Sequence, residues 1–233
     1  MKNPTTTEIH TDTQWTSARR ALLREEKALT KQRDTLAATA RALPWRAVGK
    51  LYTFISADGP LGLDDLFGGY DQLIIYHFMF AADWDEGCKS CAYVMDHLVP
   101  SVVHIQNRGV AFAAVSLAPI DKLQTFARQM GWPIMWVSSG GCDFNLDFHV
   151  TPPKKEPFIY NGAVTKTVHE MPGLSVFAKD EKGQVFHTYS TYGRGLESFI
   201  GAYRLLDIVP RGRGEQGLTF PMDWVRLHDG YEK

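Results

Sequence analysis

Apolar positions change period several times along this chain, and each change marks an element. From about Thr13 to Leu43 they recur every seventh residue, at Trp15, Leu22, Leu29, Leu36 and Leu43. Ala18 and Ala40 widen the stripe slightly, and Arg, Lys and Glu fill the other faces. This predicts one long polar helix, capped by Asp12 or Thr13 and stopped by Pro44. So narrow a stripe suits an arm laid across its own domain, or alternatively one that joins a second copy. Polar Glu25 and Gln32 on the companion row argue against a free-standing coiled coil.

Shorter apolar runs follow. Leu51–Ile55, a turn at Asp58-Gly59-Pro60 and Leu63–Phe67 predict a hairpin or a strand and turn. Leu73–Phe80 is a continuous apolar run, the pattern of a buried strand. Helical spacing resumes at Ala92–Leu98 and extends to about Asn107. A second buried strand is expected at Val110–Val115, and an amphipathic helix at 120–131 with Ile120, Leu123, Phe126, Ala127 and Met130 inward. Ile134–Val137 is a third, short strand. Residues 138–170, with Pro152, Pro153 and Pro157, read as irregular. Leu174–Ala178 and Gln184–Tyr189, joined by Asp180-Glu181-Lys182-Gly183, predict an antiparallel hairpin. A last helix is expected from about Gly195 to Leu206. The expected division is a helical arm (1–46), a domain (47–209) and a C-terminal tail (210–233), and the order predicts a mixed α/β sheet covered by helices.

The chain has 233 residues, 44% of them hydrophobic and 22% charged, which suits a single core with extensions. A net charge of −1 without a basic stripe gives nucleic-acid binding little electrostatic support. No apolar stretch approaches the about 20 residues that span a bilayer, and the polar start Met1–Thr7 does not resemble a secretory signal. No membrane role is therefore expected. Three cysteines are too few for a disulfide scaffold, so a cytoplasmic setting with a working dithiol is expected.

Two of those cysteines stand as Cys88-Lys89-Ser90-Cys91, between the first buried strand and the helix that follows it. The first turn of a helix has unpaired N–H groups and the positive end of the macrodipole, both of which favour a thiolate. The two-residue gap brings the second sulfur within disulfide reach. Asp83, Asp85 and Glu86 oppose a thiolate at Cys88, whereas Lys89 and the helix end favour it, so a thiol pKa of about 7 is expected. Asp85 is a candidate proton shuttle to Cys91, against the alternative of a solvated loop carboxylate. No metal or other cofactor is expected, because the third cysteine, Cys142, has no partner pair or His pair at zinc-finger spacing. Cys142 reads as a packed thiol or a resolving partner, and His77 and His97 as structural residues.

A dithiol after the first core strand resembles the thioredoxin-like fold, and the strand at 134–137 with Asp143–Val150 looks like its peroxiredoxin branch. Asp83-Trp84-Asp85-Glu86-Gly87-Cys88, Trp136-Val137-Ser138-Ser139, Pro172–Phe177, His187–Tyr192 and Met222-Asp223-Trp224-Val225 resemble a bacterial thioredoxin-like family of unknown function. The resemblance implies a thioredoxin-like mixed sheet flanked by helices, and dithiol–disulfide chemistry with Cys88 attacking and Cys91 resolving. It implies a substrate site at Trp84, Met171 and Pro172, with a cis Met171–Pro172 bond freeing the Met171 backbone for an extended partner. Expected partners are a disulfide-containing protein or a small thiol or disulfide, with a homodimer as an option. A thiol peroxidase using the same pair is the alternative, and a redox-inactive interaction protein is a third. Peroxide turnover is expected to be weak. The Thr that would precede a peroxide-reactive Cys91 is replaced by Cys88, and no Arg stands beside Pro172, although Arg194 is in the vicinity.

Overall fold

The structure is a computed structural model and describes residues 11–153, 157–167 and 169–232. The first ten residues of the expected arm, and 154–156 and 168 of the irregular stretch, lie outside the described residues. The chain runs α1 (Asp12–Arg41), β1 (Arg46–Ala47), β2 (Thr53–Ser56), β3 (Gly59–Gly62), β4 (Gln72–His77), α2 (Lys89–Leu98), α3 (Val102–Gln106), β5 (Val110–Ser116) and α4 (Ile120–Gln129). It continues with β6 (Met135–Ser138), α5 (Phe144–Asp147), β7 (Phe158–Tyr160), β8 (Ala163–Thr165), β9 (Gly173–Lys179), β10 (Val185–Tyr192) and α6 (Gly201–Leu206). Eight strands form one sheet in the order β1-β10-β9-β4-β5-β6-β2-β3, and β7–β8 form a separate hairpin.

β4 pairs parallel with β5 and antiparallel with β9, so that Ile75 faces Ala113 on one side and Ser175 on the other. β5 and β6 are parallel, and β9–β10 is the expected antiparallel hairpin. This is the thioredoxin-like mixed sheet, with helices on its faces and the dithiol after its central strand. Each face has its own core. Tyr76, Phe78, Cys91, Met95, Phe126 and Trp136 pack on the α2 side, and Phe54, Leu73, Ile75, Phe144, Phe148 and Phe177 on the other. Both faces of β4 are therefore covered, which is why its sequence is a continuous apolar run rather than an alternating one.

Several expectations are corrected. The arm is helical as read, but its cap is Thr11, which forms a reciprocal capping box with Gln14. It does not lie across its own domain. No residue of α1 is buried, and Trp15, Leu22, Leu29 and Leu36 are 64%, 55%, 46% and 68% exposed. The reason lies in the connection. β1 pairs Arg46 with His187 at the sheet edge, and α1 reaches the sheet only along β10. The irregular stretch contains α5, whose Phe144 and Phe148 lie four residues apart on one buried face, and the β7–β8 hairpin. The last helix breaks at Ile200, which is extended (ψ 95°), into a 3-10 segment and α6. The tail is partly core: Val225 is fully buried, and Trp224 and Tyr203 both donate hydrogen bonds to Glu215.

Candidate active site

β4 aims the chain at the site, and the loop after it folds back on itself. Phe78 N–H donates to Val115 O (3.0 Å) and Cys88 N–H to Met79 O (3.1 Å), closing the segment 80–87 into a compact loop. Lys122 of α4 clamps that loop from outside, donating to Trp84 O at 2.6 Å and Ala82 O at 3.0 Å. Gly87 makes the tight return possible. A Cβ there would lie 2.8 Å from the Phe78 ring and 2.9 Å from the Phe126 ring.

Cys88 is the N-cap of α2, and Cys91 lies one turn in, pointing into the core with 1% exposure. Both are free in the structure. The Cys91 thiol, the backbone N–H groups of Cys91 and Ser90 and the Lys89 charge all favour a thiolate on the Cys88 sulfur. These outweigh its burial and draw the Cys88 thiol down to about 7. Burial drives the Cys91 thiol well above its ordinary value, and a negative charge on Cys88 would push it further. The two sulfurs are thus shifted in opposite directions, one toward nucleophile and one toward proton holder.

Two further groups meet the pair. The Tyr76 hydroxyl of β4 is fully buried beside Cys91 and completes no hydrogen bond among the described residues. Glu170 is 7% exposed, and the nearby Phe80 N–H and Asn145 side chain favour its charged form. Thr151 makes a contact of 3.5 Å to Oε1, while Oε2 has no partner among the described residues. Burial raises the Glu170 carboxyl to about 7, and the nearby Cys88 sulfur raises it further. Neither residue stood out in the sequence. Glu170 carried one weak signal, an acid directly before Met171-Pro172.

Met171 and Pro172 follow Glu170 and lead into β9. Tyr160 donates to Pro172 O at 2.6 Å and accepts from Gly193 N–H at 2.7 Å. The cis bond is a correction, because no described peptide bond is cis and Met171–Pro172 is trans. Met171 N–H is also not free for a partner. It donates to Val150 O (2.8 Å), and with Pro172 O held by Tyr160 the segment is fixed from both sides within the chain.

The remaining candidates separate clearly. Trp84 is half-buried in the loop against the α2-side core. Asp83, Asp85 and Glu86 are exposed, and Asp85 makes no side-chain hydrogen bond among the described residues. Lys89 donates to Asp223 O (3.2 Å), bringing the tail to the rim of the dithiol. Cys142 packs with the opposite core and is not brought to the pair. Arg194 is paired with Glu197 and its side chain is 90% exposed. His97 is fully engaged, its Nδ1 with Tyr93 O and its Nε2 with Ala202 N–H. His77 begins a polar chain, buried at its β4 end, that the sequence did not disclose. Its Nε2 meets Ser175 Oγ (2.8 Å), Ser175 meets Ser190 (2.8 Å), and Ser190 meets His187 Nε2 (2.7 Å).

A family model described as "Bacterial protein of unknown function (DUF899)" matches residues 4–231. No curated protein matches. Among solved structures, the chain is similar to peroxidoxin BcpB of Mycobacterium tuberculosis, at 13% identity over 70% of this chain and 97% of that one, with a TM-score of 0.47. It is also similar to peroxiredoxin Q of Xanthomonas campestris, at 12% identity over 68% and 97%, with a TM-score of 0.45. The mitochondrial 2-Cys peroxiredoxin of Plasmodium falciparum is similar at 12% identity over 66% and 89%, with a TM-score of 0.40.

Proposed function

The chain belongs to the bacterial DUF899 family, and we propose that it is a thiol–disulfide oxidoreductase in which Cys88 attacks and Cys91 resolves. The observation that carries this reading is the opposite shift of the two sulfurs at the first turn of α2, Cys88 lowered to about 7 and Cys91 raised. At neutral pH a thiol poised there is part thiolate, and it keeps more nucleophilicity than a far more acidic thiol would.

The Cys88 thiolate attacks a substrate disulfide, forming a mixed disulfide and releasing one substrate thiolate. Cys91 then loses its proton, attacks the Cys88 sulfur and expels the second thiolate. Two electrons pass to the substrate, and the enzyme keeps a Cys88–Cys91 disulfide. Glu170 beside Cys88 is suited to pass a proton to a departing thiolate, since a carboxyl near pKa 7 both holds and gives up its proton at working pH. This role replaces the one expected of Asp85. Trp84 and the Met171–Pro172 segment form the wall on which the substrate lies, and Lys89 with the tail sets its rim. Substrates are disulfide-bearing proteins or small disulfides, met in a reducing, cytoplasmic setting.

The test is catalytic reduction of a protein disulfide with dithiothreitol as electron source. Cys88→Ser should abolish turnover, Cys91→Ser should accumulate a mixed disulfide at Cys88, and Cys142→Ser should leave turnover unchanged. Full activity in the Cys88→Ser protein would end the proposal. Peroxide turnover by the same pair should be slow, since no arginine beside Pro172 is on hand to polarise a peroxide. Rapid stopped-flow oxidation by hydrogen peroxide would instead favour the peroxidase.

A further inference from the structure

Resting on the disulfide exchange described above, we propose that the Tyr76 hydroxyl serves its second half, donating to the Cys91 sulfur as that sulfur becomes the attacking thiolate. Cys91 is 1% exposed, and burial together with the neighbouring Cys88 sulfur keeps it a thiol well above its ordinary pKa. A thiol is a poor nucleophile. A resolving sulfur so deeply placed therefore needs a donor that meets it in its charged form.

β4 supplies that donor. Its residues alternate between the two faces of the sheet, so His77 stacks on Phe144 while Tyr76 joins Phe78 and Cys91 in the core on the α2 side. Tyr76 stands between Ala114 of β5 and Leu174 of β9, walled in by both neighbouring strands. Its hydroxyl is fully buried and has no hydrogen-bond partner among the described residues. An unpaired buried hydroxyl weakens a fold, and phenylalanine would fill the same space without it. The other phenol near the pair, Tyr160, is spent on Pro172 O and Gly193 N–H. Tyr76 thus keeps a donor to offer Cys91, where its hydroxyl and the Met79 N–H both favour a thiolate. Burial holds the Tyr76 phenol well above its ordinary value, so it keeps its own proton and acts by donating rather than as a base.

The step is balanced without a further reactant. In the mixed disulfide Cys88 carries no charge and no longer opposes ionisation of Cys91. The Cys91 S–H bond breaks, and its proton passes by way of Glu170 to the departing substrate sulfur. The Cys91–Cys88 bond forms as the Cys88–substrate bond breaks, the dithiol is oxidised, the substrate disulfide is reduced, and the Tyr76 O–H stays whole. A hydrogen bond to a charged sulfur is stronger than one to a thiol. The hydroxyl therefore stabilises the attacking state over the resting one, which is the condition for speeding the step.

The experiment is stopped-flow reaction of the reduced full chain, in a Cys142→Ser background, with excess dithiobis(nitrobenzoate), an aromatic disulfide. Attack by Cys88 releases one coloured thiolate and resolution by Cys91 a second, so the two steps appear as two phases. Tyr76→Phe should leave the first phase unchanged. It should slow the second about 3- to 10-fold at pH 7, the net of a lost hydrogen bond to a charged group and the higher nucleophilicity of a less acidic thiol. The pH profile of the second phase should move up by about one unit or more. The urea midpoint should be no lower than that of the parent, whereas a merely structural hydroxyl would lower it and leave the pH profile in place. Should Tyr76→Phe not fold, fluorination of the Tyr76 ring, which keeps its shape and strengthens the donor, takes its place and should speed the second phase. A second phase with the parent's rate and pH profile overturns the role of Tyr76 and leaves the dithiol reading standing. A first phase slowed by the same factor also overturns it, since the change would then lie in the placement of the whole pair. Release of one equivalent by the parent protein overturns both.

Discussion

Because the Cys91 thiol and two backbone N–H groups favour a thiolate on Cys88 while Cys91 is sealed in the core, an alkylating agent at neutral pH should modify Cys88 first. Its rate should climb around pH 7, read by mass spectrometry of the modified peptides. Earlier labelling of Cys91 or Cys142 would reverse the assignment of roles. The cysteine spacing and the near-neutral thiol were legible in the sequence, since both follow from local geometry at a helix start. Glu170 and Tyr76 were not, because only the pairing of β4 with β9 and the packing of α2 bring them to the sulfurs. Glu170 makes the difference measurable. Its folded pKa of about 7 lies above the ordinary 4.5, so its contribution to stability is full at low pH and is lost as pH rises from 4.5 through 7. Glu170→Gln stays neutral and should escape that loss, by up to about 3 kcal/mol at pH 8, while slowing disulfide turnover. Urea unfolding of both proteins at pH 5 and pH 8 checks it, and equal pH dependence would remove Glu170 from this account.

The element that holds the site is the return from β4 into α2, and Gly87 is its tightest point. A methyl group there would press on the Phe78 and Phe126 rings, which are 1% and 4% exposed and have little room to yield. Gly87→Ala should therefore cost about 1–3 kcal/mol by overpacking. It should also slow Cys88 alkylation, because a displaced loop carries the helix start with it. Unchanged urea midpoint and labelling rate would show that the loop has slack. Elements such as α4 and the central strands were readable because burial on one or both faces writes its period into the sequence, and α1 was readable from its length and its seven-residue stripe. The 138–170 stretch was not, since α5 is a single turn and β7 and β8 have three residues each. Even so, Asn161 and Gly162 adopt the positive φ values (52° and 77°) of a tight hairpin turn. That dipeptide is a hairpin signal which the reading of 138–170 as irregular passed over.

Across the whole molecule, β4, β9 and β10 are tied together by the polar chain from His77 through Ser175 and Ser190 to His187, buried at His77 and Ser175 and half-buried at Ser190 and His187. The apolar pattern predicted these strands but not the chain, because serine and histidine at alternate strand positions read equally well as an outward face. Burial lowers His77 to about 3 and His187 to about 4, so both stay neutral in the folded protein well below the pH at which they charge in an unfolded chain. For a base whose folded pKa is depressed, the stabilisation is present above the unfolded value and is lost as pH falls. The window here runs from 6.5 down toward 3, and His77 alone accounts for up to about 5 kcal/mol across it. The fold should accordingly weaken well before its carboxylates titrate. Replacing His77 by Gln, which never charges, should lower stability at pH 7 by disturbing the Ser175 contact, yet flatten the decline between pH 6.5 and pH 4. Guanidinium unfolding midpoints of both proteins across that range measure the two slopes. Parallel slopes would place the acid sensitivity elsewhere, whereas a flatter slope in the variant would mark the buried histidine as the group that limits the three-strand unit on which the dithiol is mounted.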